Sequence, residues 1–190
     1  MPNILLVSAT ADEHGEDELF GYPIHIVGVG KVNAALNTAA LIKEYDPDYV
    51  VNFGSCANLK DYKPGELLRV GTVYNDFYAG NLVKYIPHKM SDTGIKCLTT
   101  DTFLEKGERY HHSYEFRVSK CDIIDMELYG IACACLDADK FLRSYKWISD
   151  DGDMNSWEDN AKLGFDKFKV ALKEYLDDIK IYHKKIGKND

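Results

Sequence analysis

The chain has 190 residues, with 23 Lys and Arg against 31 Asp and Glu, and so a formal net charge of −8. That length suits one domain, 1–190, burying roughly 70% of the surface its unfolded chain exposes, and a composition 45% hydrophobic and 28% charged excludes a disordered polymer. The acidity argues against gripping nucleic acid or anionic lipid by net charge, no run reaches the ~20 apolar residues of a membrane helix, and the N-terminus lacks a secretion-signal pattern; the expected setting is the cytoplasm.

In chain order, Asn3-Ile-Leu-Leu-Val-Ser8 reads as a strand buried on both faces. An acidic stretch from Ala11 to Asp17 follows, then a second strand, Tyr22–Gly28. Gly28-Val-Gly-Lys-Val-Asn33 leads into an alanine- and leucine-rich helix, Ala34–Tyr45, which Pro47 stops. Tyr49–Phe53 is a further buried strand running into Gly54-Ser-Cys-Ala57, read as a turn whose small residues let backbone approach a ligand. Leu67–Tyr74 is strand-like with a possible bulge at Gly71. Asn75–Met90 carries loops, Ile95–Thr99 and Asp122–Asp125 are short strands, and Met126–Asp139 is helical by composition. Arg143–Ile148 makes the last strand. Phe165, Phe168, Leu172, Tyr175, Leu176, Ile179 and Tyr182, three and four apart, mark the clearest helix. Strands alternating with helices predict an α/β domain with a mostly parallel sheet.

Cys56, Cys97, Cys121, Cys133 and Cys135 form no CxxC pair and read as buried free thiols. Cys133 and Cys135 point to different faces of a helix, and His111 and His112 are adjacent, so no metal site is expected. Gly28-x-Gly30 lacks the third glycine of a dinucleotide fingerprint. Ligands of parallel sheets bind beyond the carboxyl ends of strands, which selects Thr10–Glu13, Gly54–Asn58, Asp125–Glu127 and Ser149–Asp153. Three of these four carry carboxylates, suited to acid and base work.

Gly28–Ala35, Asn52-Phe-Gly-Ser-Cys-Ala57, Asp101-Thr-Phe-Leu104, Asp125-Met-Glu127 and Ile148-Ser-Asp150, in that order, resemble the purine nucleoside phosphorylase/nucleosidase superfamily. Within it the chain is most similar to the 5′-methylthioadenosine/S-adenosylhomocysteine nucleosidases, from Asn3 to about Leu176. The resemblance implies a three-layer fold with a twisted, mostly parallel mixed sheet flanked by helices, a cofactor-free hydrolase acting on a small purine nucleoside, and a homodimer. It assigns Asp150 as the acid that protonates N7 of adenine and Glu13 as the carboxylate that activates water. Glu127, beside Met126, becomes the ribose clamp, Phe103 the ring that stacks on the purine, and Leu104 the residue whose backbone reads its edge. Ser55, Asp125 and Ser149 complete the substrate-binding set, and Thr10, Trp157 and the segment from Phe77 to Met90 wall the 5′ substituent. Typical members are longer between Glu13 and Tyr22, where a helix and a hairpin do not fit this chain. They also carry a glutamate at Asp125 and a glycine pair at Ala57-Asn58. A phosphorylase using inorganic phosphate, and a nucleoside-binding protein without turnover, are the alternatives. The phosphorylase needs cations at its phosphate. Asn52 stands where related phosphorylases have arginine, Lys31 is the first base in the chain, and Arg69 is left as the candidate cation.

Overall fold

Ile4–Ser8 forms β1, buried along its whole length, and its side chains divide between two cores. Ile4 and Leu6 pack with Phe53, Trp147, Phe168 and Leu172. Leu5 and Val7 pack with Ala34, Ile42, Ile131 and Cys135. A strand apolar on both faces needs helical cover on both, and that requirement sets the architecture. The computed structural model describes residues 2–76, 88–105 and 119–186. Its further strands are β2 (Glu18–Leu19), β3 (Tyr22–Ile26), β4 (Tyr49–Asn58), β5 (Leu67–Asn75), β6 (His88–Lys89), β7 (Ile95–Thr99), β8 (Ile123–Asp125) and β9 (Phe141–Asp150). The helices are α1 (Lys31–Tyr45), α2 (Leu128–Asp137), α3 (Met154–Asn160) and α4 (Phe165–Ile186). α1 and α2 cover one face of the sheet, and α4 covers the other with Phe168, Leu172 and Leu176.

The sheet runs β2-β3-β1-β4-β8-β7-β5-β6, with β9 pairing both β4 and β5. β1 pairs in parallel with β3 and β4, β4 with β9, and β7 with β5 and β8. The β2–β3, β4–β8, β5–β6 and β5–β9 pairs are antiparallel. So β4, β9, β5, β7 and β8 close into a ring, which an open alternating α/β reading does not anticipate. The length of β4 makes this possible: Tyr49–Cys56 run along β9, the register shifts after Cys56, and Ala57 and Asn58 also reach β8.

Two expectations change. Gly54–Asn58 is not a turn but the second half of β4. The interval between Glu13 and Tyr22 does hold a hairpin, one of two-residue pairing, Glu18 to Pro23 and Leu19 to Tyr22. Gly21, at a φ of +82°, supplies the left-handed residue its tight turn requires. Short β2, β6 and α3 carry too little periodicity to be read from sequence. The register shift between Val70 and Thr72 puts a bulge at Gly71, as the sequence suggests.

Candidate active site

The carboxyl ends of β1, β4, β8 and β9 meet around a cleft of about 270 Å³. Every site residue singled out from the sequence lines it except Ser149: Glu13, Ser55, Phe103 and Leu104 on one hand, Asp125, Met126, Glu127 and Asp150 on the other. Ser149 is fully buried behind Asp150, its Oγ 2.7 Å from Asp150 Oδ2 and 3.2 Å from the Cys56 carbonyl. Its place is therefore beneath the acid and not against a ligand. Thr10 and Trp157 are cleft walls, with Met154 beside them. Of the other expected wall, residues 77–87 lie outside the described residues, as do His111 and His112.

Glu13 ends a 3-10 turn, Ala11–Glu13, whose first backbone amides are capped by Thr10. Only 4% exposed, its carboxylate accepts from Ser8 Oγ at 2.8 Å, Ser55 N at 2.6 Å and Ser55 Oγ at 2.7 Å. This convergence needs Gly54, because a Cβ there would lie 2.8 Å from both carboxylate oxygens. The glycine admits the glutamate into the wall of β4. The acidic run around it is also less isolated than its sequence suggests: Lys169 of α4 reaches Glu16 at 3.0 Å.

Glu127 stands at the N-cap of α2, and its Oε1 accepts from the amide of Gly30, the N-cap of α1, at 3.0 Å. The Gly30 amide and the N-terminus of α1 behind it thus face this carboxylate, an arrangement that favours negative charge. Burial outweighs them and, with Asp125 and Glu13 nearby, pushes the Glu127 carboxyl up to about 7, against the pull of Lys146 and the Gly30 amide. Gly28 and Gly30 have φ of +85° and +90°. They shape the backbone so that the Gly30 N–H points at Glu127, a role unrelated to a dinucleotide.

Asp125 lines the cleft, yet its oxygens are committed inward. Oδ1 accepts from Thr99 Oγ1 at 2.6 Å, and Oδ2 from Leu128 N at 2.9 Å and Lys146 Nζ at 2.9 Å. These bonds start α2 and neutralise Lys146, while the side chain still lines the cleft. Lys146, 1% exposed, is a charged residue that local sequence pattern did not mark. Burial opposes its charge, but Asp125, Glu127 and Glu13 together hold the ammonium above the usual lysine value. A lysine inside the aromatic run Tyr145-Lys-Trp147 was the available signal, since a buried strand keeps a charge only beside a counter-charge.

Asp150 ends β9 and is 5% exposed; its Oδ1 accepts from the Gly152 amide at 2.7 Å. Among the described residues lining the cleft there is no Lys or Arg. Arg69 is turned away toward Ser91 and the carbonyl and hydroxyl of Thr93. Asn52 is buried, bonded to the Val7 carbonyl and to Ser144. Lys31 is occupied by Asn75, Asp76 and Asp101. All five cysteines are free, and Cys133 alone is half-buried where the other four are buried. Among the described residues no helix is long and apolar enough to cross a membrane.

Comparison with known proteins gives three findings. Residues 14–94 match the profile of the phosphorylase superfamily. The 5′-methylthioadenosine/S-adenosylhomocysteine nucleosidase of Hydrogenovibrio crunogenus is 52% identical over 42 residues, 22% of this chain and 18% of that protein. The one from a Geobacillus species is 61% identical over 28 residues, 15% of this chain and 12% of that protein. The chain therefore aligns with under a fifth of either curated relative. Among solved structures, the nucleosidase of Helicobacter pylori bound to butyl-thio-DADMe-Immucillin-A superposes with a TM-score of 0.77 at 18% identity, over 94% of this chain and 99% of that one. The Colwellia psychrerythraea nucleosidase bound to adenine gives 0.72 at 21% identity, over 86% and 90%. A futalosine hydrolase of Helicobacter pylori gives 0.77 at 17% identity, over 93% and 98%. The fold is theirs.

Proposed function

We propose that this phosphorylase-superfamily chain hydrolyses the N-glycosidic bond of an adenine nucleoside of the 5′-methylthioadenosine or S-adenosylhomocysteine type. One observation carries the reading. Glu13, Glu127 and Asp150 surround a single cleft whose described lining holds no Lys or Arg. A phosphate dianion entering it would meet like charge in a partly desolvated space. A neutral water needs the reverse, a carboxylate able to take its proton.

In this reading the apolar side chains of Phe103, Leu104, Ile124 and Met126 hold the purine. Asp150 gives a proton to N7 as the C1′–N9 bond breaks and its electron pair moves into the base. Glu127 accepts hydrogen bonds from the ribose hydroxyls and stabilises the oxocarbenium-like ring. Water adds to C1′ and passes its proton to Glu13. The sum is nucleoside plus water giving adenine plus free sugar. The likeness to the adenine-bound and Immucillin-bound nucleosidases supports an adenine nucleoside as the ligand.

A homodimer accompanies the proposal. Val29, Val32 and Leu36 at the start of α1 are 52%, 70% and 66% exposed, an apolar stripe beside the cleft that Val29 itself lines. A second copy covering that stripe would also cover the cleft mouth, and light scattering with V32E measures it.

The deciding experiment is adenine release with phosphate removed and then restored at millimolar level. An unchanged rate with free sugar as product is expected. Ribose 1-phosphate, at a rate rising with phosphate, would replace this reading by phosphorolysis, and no release at all by binding alone.

A further inference from the structure

We infer that Trp157 is a positioning residue for the nucleophile: its indole N–H orients the Ser55 hydroxyl onto Glu13, leaving Glu13 Oε2 to take the proton of water. The inference rests on the reading of Glu13 as the water-activating base.

The hydrogen-bond directions follow from the groups themselves. Trp157 Nε1 lies 3.0 Å from Ser55 Oγ, and an indole nitrogen can only donate. Ser55 Oγ lies 2.7 Å from Glu13 Oε1. A hydroxyl has a single proton, and with Trp157 filling one of its lone pairs that proton points to Glu13. Oε1 then holds two donors, the amide and the hydroxyl of Ser55. Oε2 holds one, Ser8 Oγ at 2.8 Å. With two lone-pair sites per oxygen, Oε1 is filled and Oε2 keeps one site open. The relay therefore distinguishes two chemically equivalent oxygens and presents the open one in a fixed orientation.

The tryptophan is held as a positioning group must be. Asp153 caps α3 through Ser156, with its carboxylate accepting from Ser156 N and Oγ. Asn160 Nδ2 donates to the Ser149 carbonyl at 2.9 Å, beside the acid. Trp147 Nε1 donates to the Ala161 carbonyl at 2.8 Å, just past the helix, and Gly164 lets the chain lie against Trp147, where any Cβ would come within 2.2 Å of the ring. Four bonds thus fasten a seven-residue helix and the residue after it, two to its own cap and two to β9. A wall that served only to exclude water would need the ring and not its N–H.

The test separates ring from N–H. Trp157→Phe keeps an aromatic wall and removes the donor. Replacement of Trp157 by its benzothiophene isostere keeps the shape, should the phenylalanine variant fail to fold. Either change should lower kcat by about tenfold, the effect of loosening one hydrogen bond to a charged group, with KM for the nucleoside unchanged. In a Ser55→Ala background the same change should have no further effect on kcat, because the relay is already cut. A change in KM alone, or an equal loss of kcat in both backgrounds, overturns the inference and makes Trp157 a wall. Glu13→Gln is the separate control: full turnover in that variant removes the base itself, whatever Trp157 does.

Discussion

Glu13 and Glu127 share a cleft, yet Glu13 accepts three hydrogen bonds from Ser8 and Ser55 whereas Glu127 accepts one, from the Gly30 amide. The first is built into two strands, β1 and β4, with Gly54 left bare to receive it. The second is held at the N-terminus of α1 by that single amide, so far from water that burial pushes it up to about 7. A carboxylate with three of its four acceptor sites filled is fixed in place and keeps one site, on Oε2, which suits a base that must meet one water at one angle. A carboxylate with open acceptor sites is kept for a ligand, because ribose hydroxyls can supply the donors the protein withholds.

The sharpest way to break this contrast is at Glu13 and Asp150. Glu13→Gln sets an amide NH2 against donors that need an acceptor, and Asp150→Asn has no proton to give. Each should lower kcat by roughly 10²–10⁴-fold, measured as adenine release at saturating substrate. A loss under about tenfold in either would remove that residue's assigned role.

Lys146 stands between the two carboxylates and holds Asp125 at 2.9 Å. Lys146→Met leaves the Asp125 carboxylate buried without its counter-ion, which costs about 3–5 kcal/mol when a buried pair is broken one-sidedly. Urea denaturation should show that loss, and Asp125→Asn in the same chain should recover part of it. An Lys146→Met variant of native stability would show that the pair is not what supports the start of α2.

Much of this arrangement could be read from the residues before any coordinates. Ile4–Ser8 and Tyr49–Phe53 announce doubly buried strands, the three-and-four spacing from Phe165 announces α4, and the family resemblance assigns roles to Glu13, Glu127 and Asp150. What stayed hidden lies between distant segments. The ion pair of Asp125 with Lys146, on another strand, is invisible until the two are placed together. Gly54 passes for a turn until Glu13 is seen against its Cα. The ring formed by β4, β9, β5, β7 and β8 depends on a register shift at Cys56 that no local periodicity encodes. Local pattern predicts elements, and only tertiary placement tells a structural carboxylate from a functional one.

Gly54→Ala tests the fixed side of the comparison with smaller disturbance. The added methyl would meet both Glu13 oxygens at 2.8 Å, closer than any real Cβ contact, so the carboxylate must leave Ser55. A fall in kcat of about 100-fold is expected, on the scale of a 1 Å misplacement of a catalytic group, with the fold retained. Kinetics like those of the native chain would mean that Glu13 can act from more than one position.

Glu127→Gln tests the open side, and the sign of its effect depends on pH. A carboxyl raised from 4.5 to about 7 by burial contributes stability in its protonated form. That contribution is fully present below about 4.5 and is lost as pH rises through about 7. Above that value the folded chain carries a buried charge it would be more stable without. Glutamine keeps the shape and the bond to the Gly30 amide but carries no charge. The variant should therefore be more stable than the native chain at pH 8, on the order of 2 kcal/mol, and equal to it near pH 4.5. The same substitution should raise KM for the nucleoside about tenfold, since an amide offers the ribose one acceptor oxygen in place of two. Thermal denaturation at the two pH values decides the matter. A stability gain that does not vary with pH would show that the glutamine packs better and that the charge of Glu127 is not what the fold sets against ligand binding.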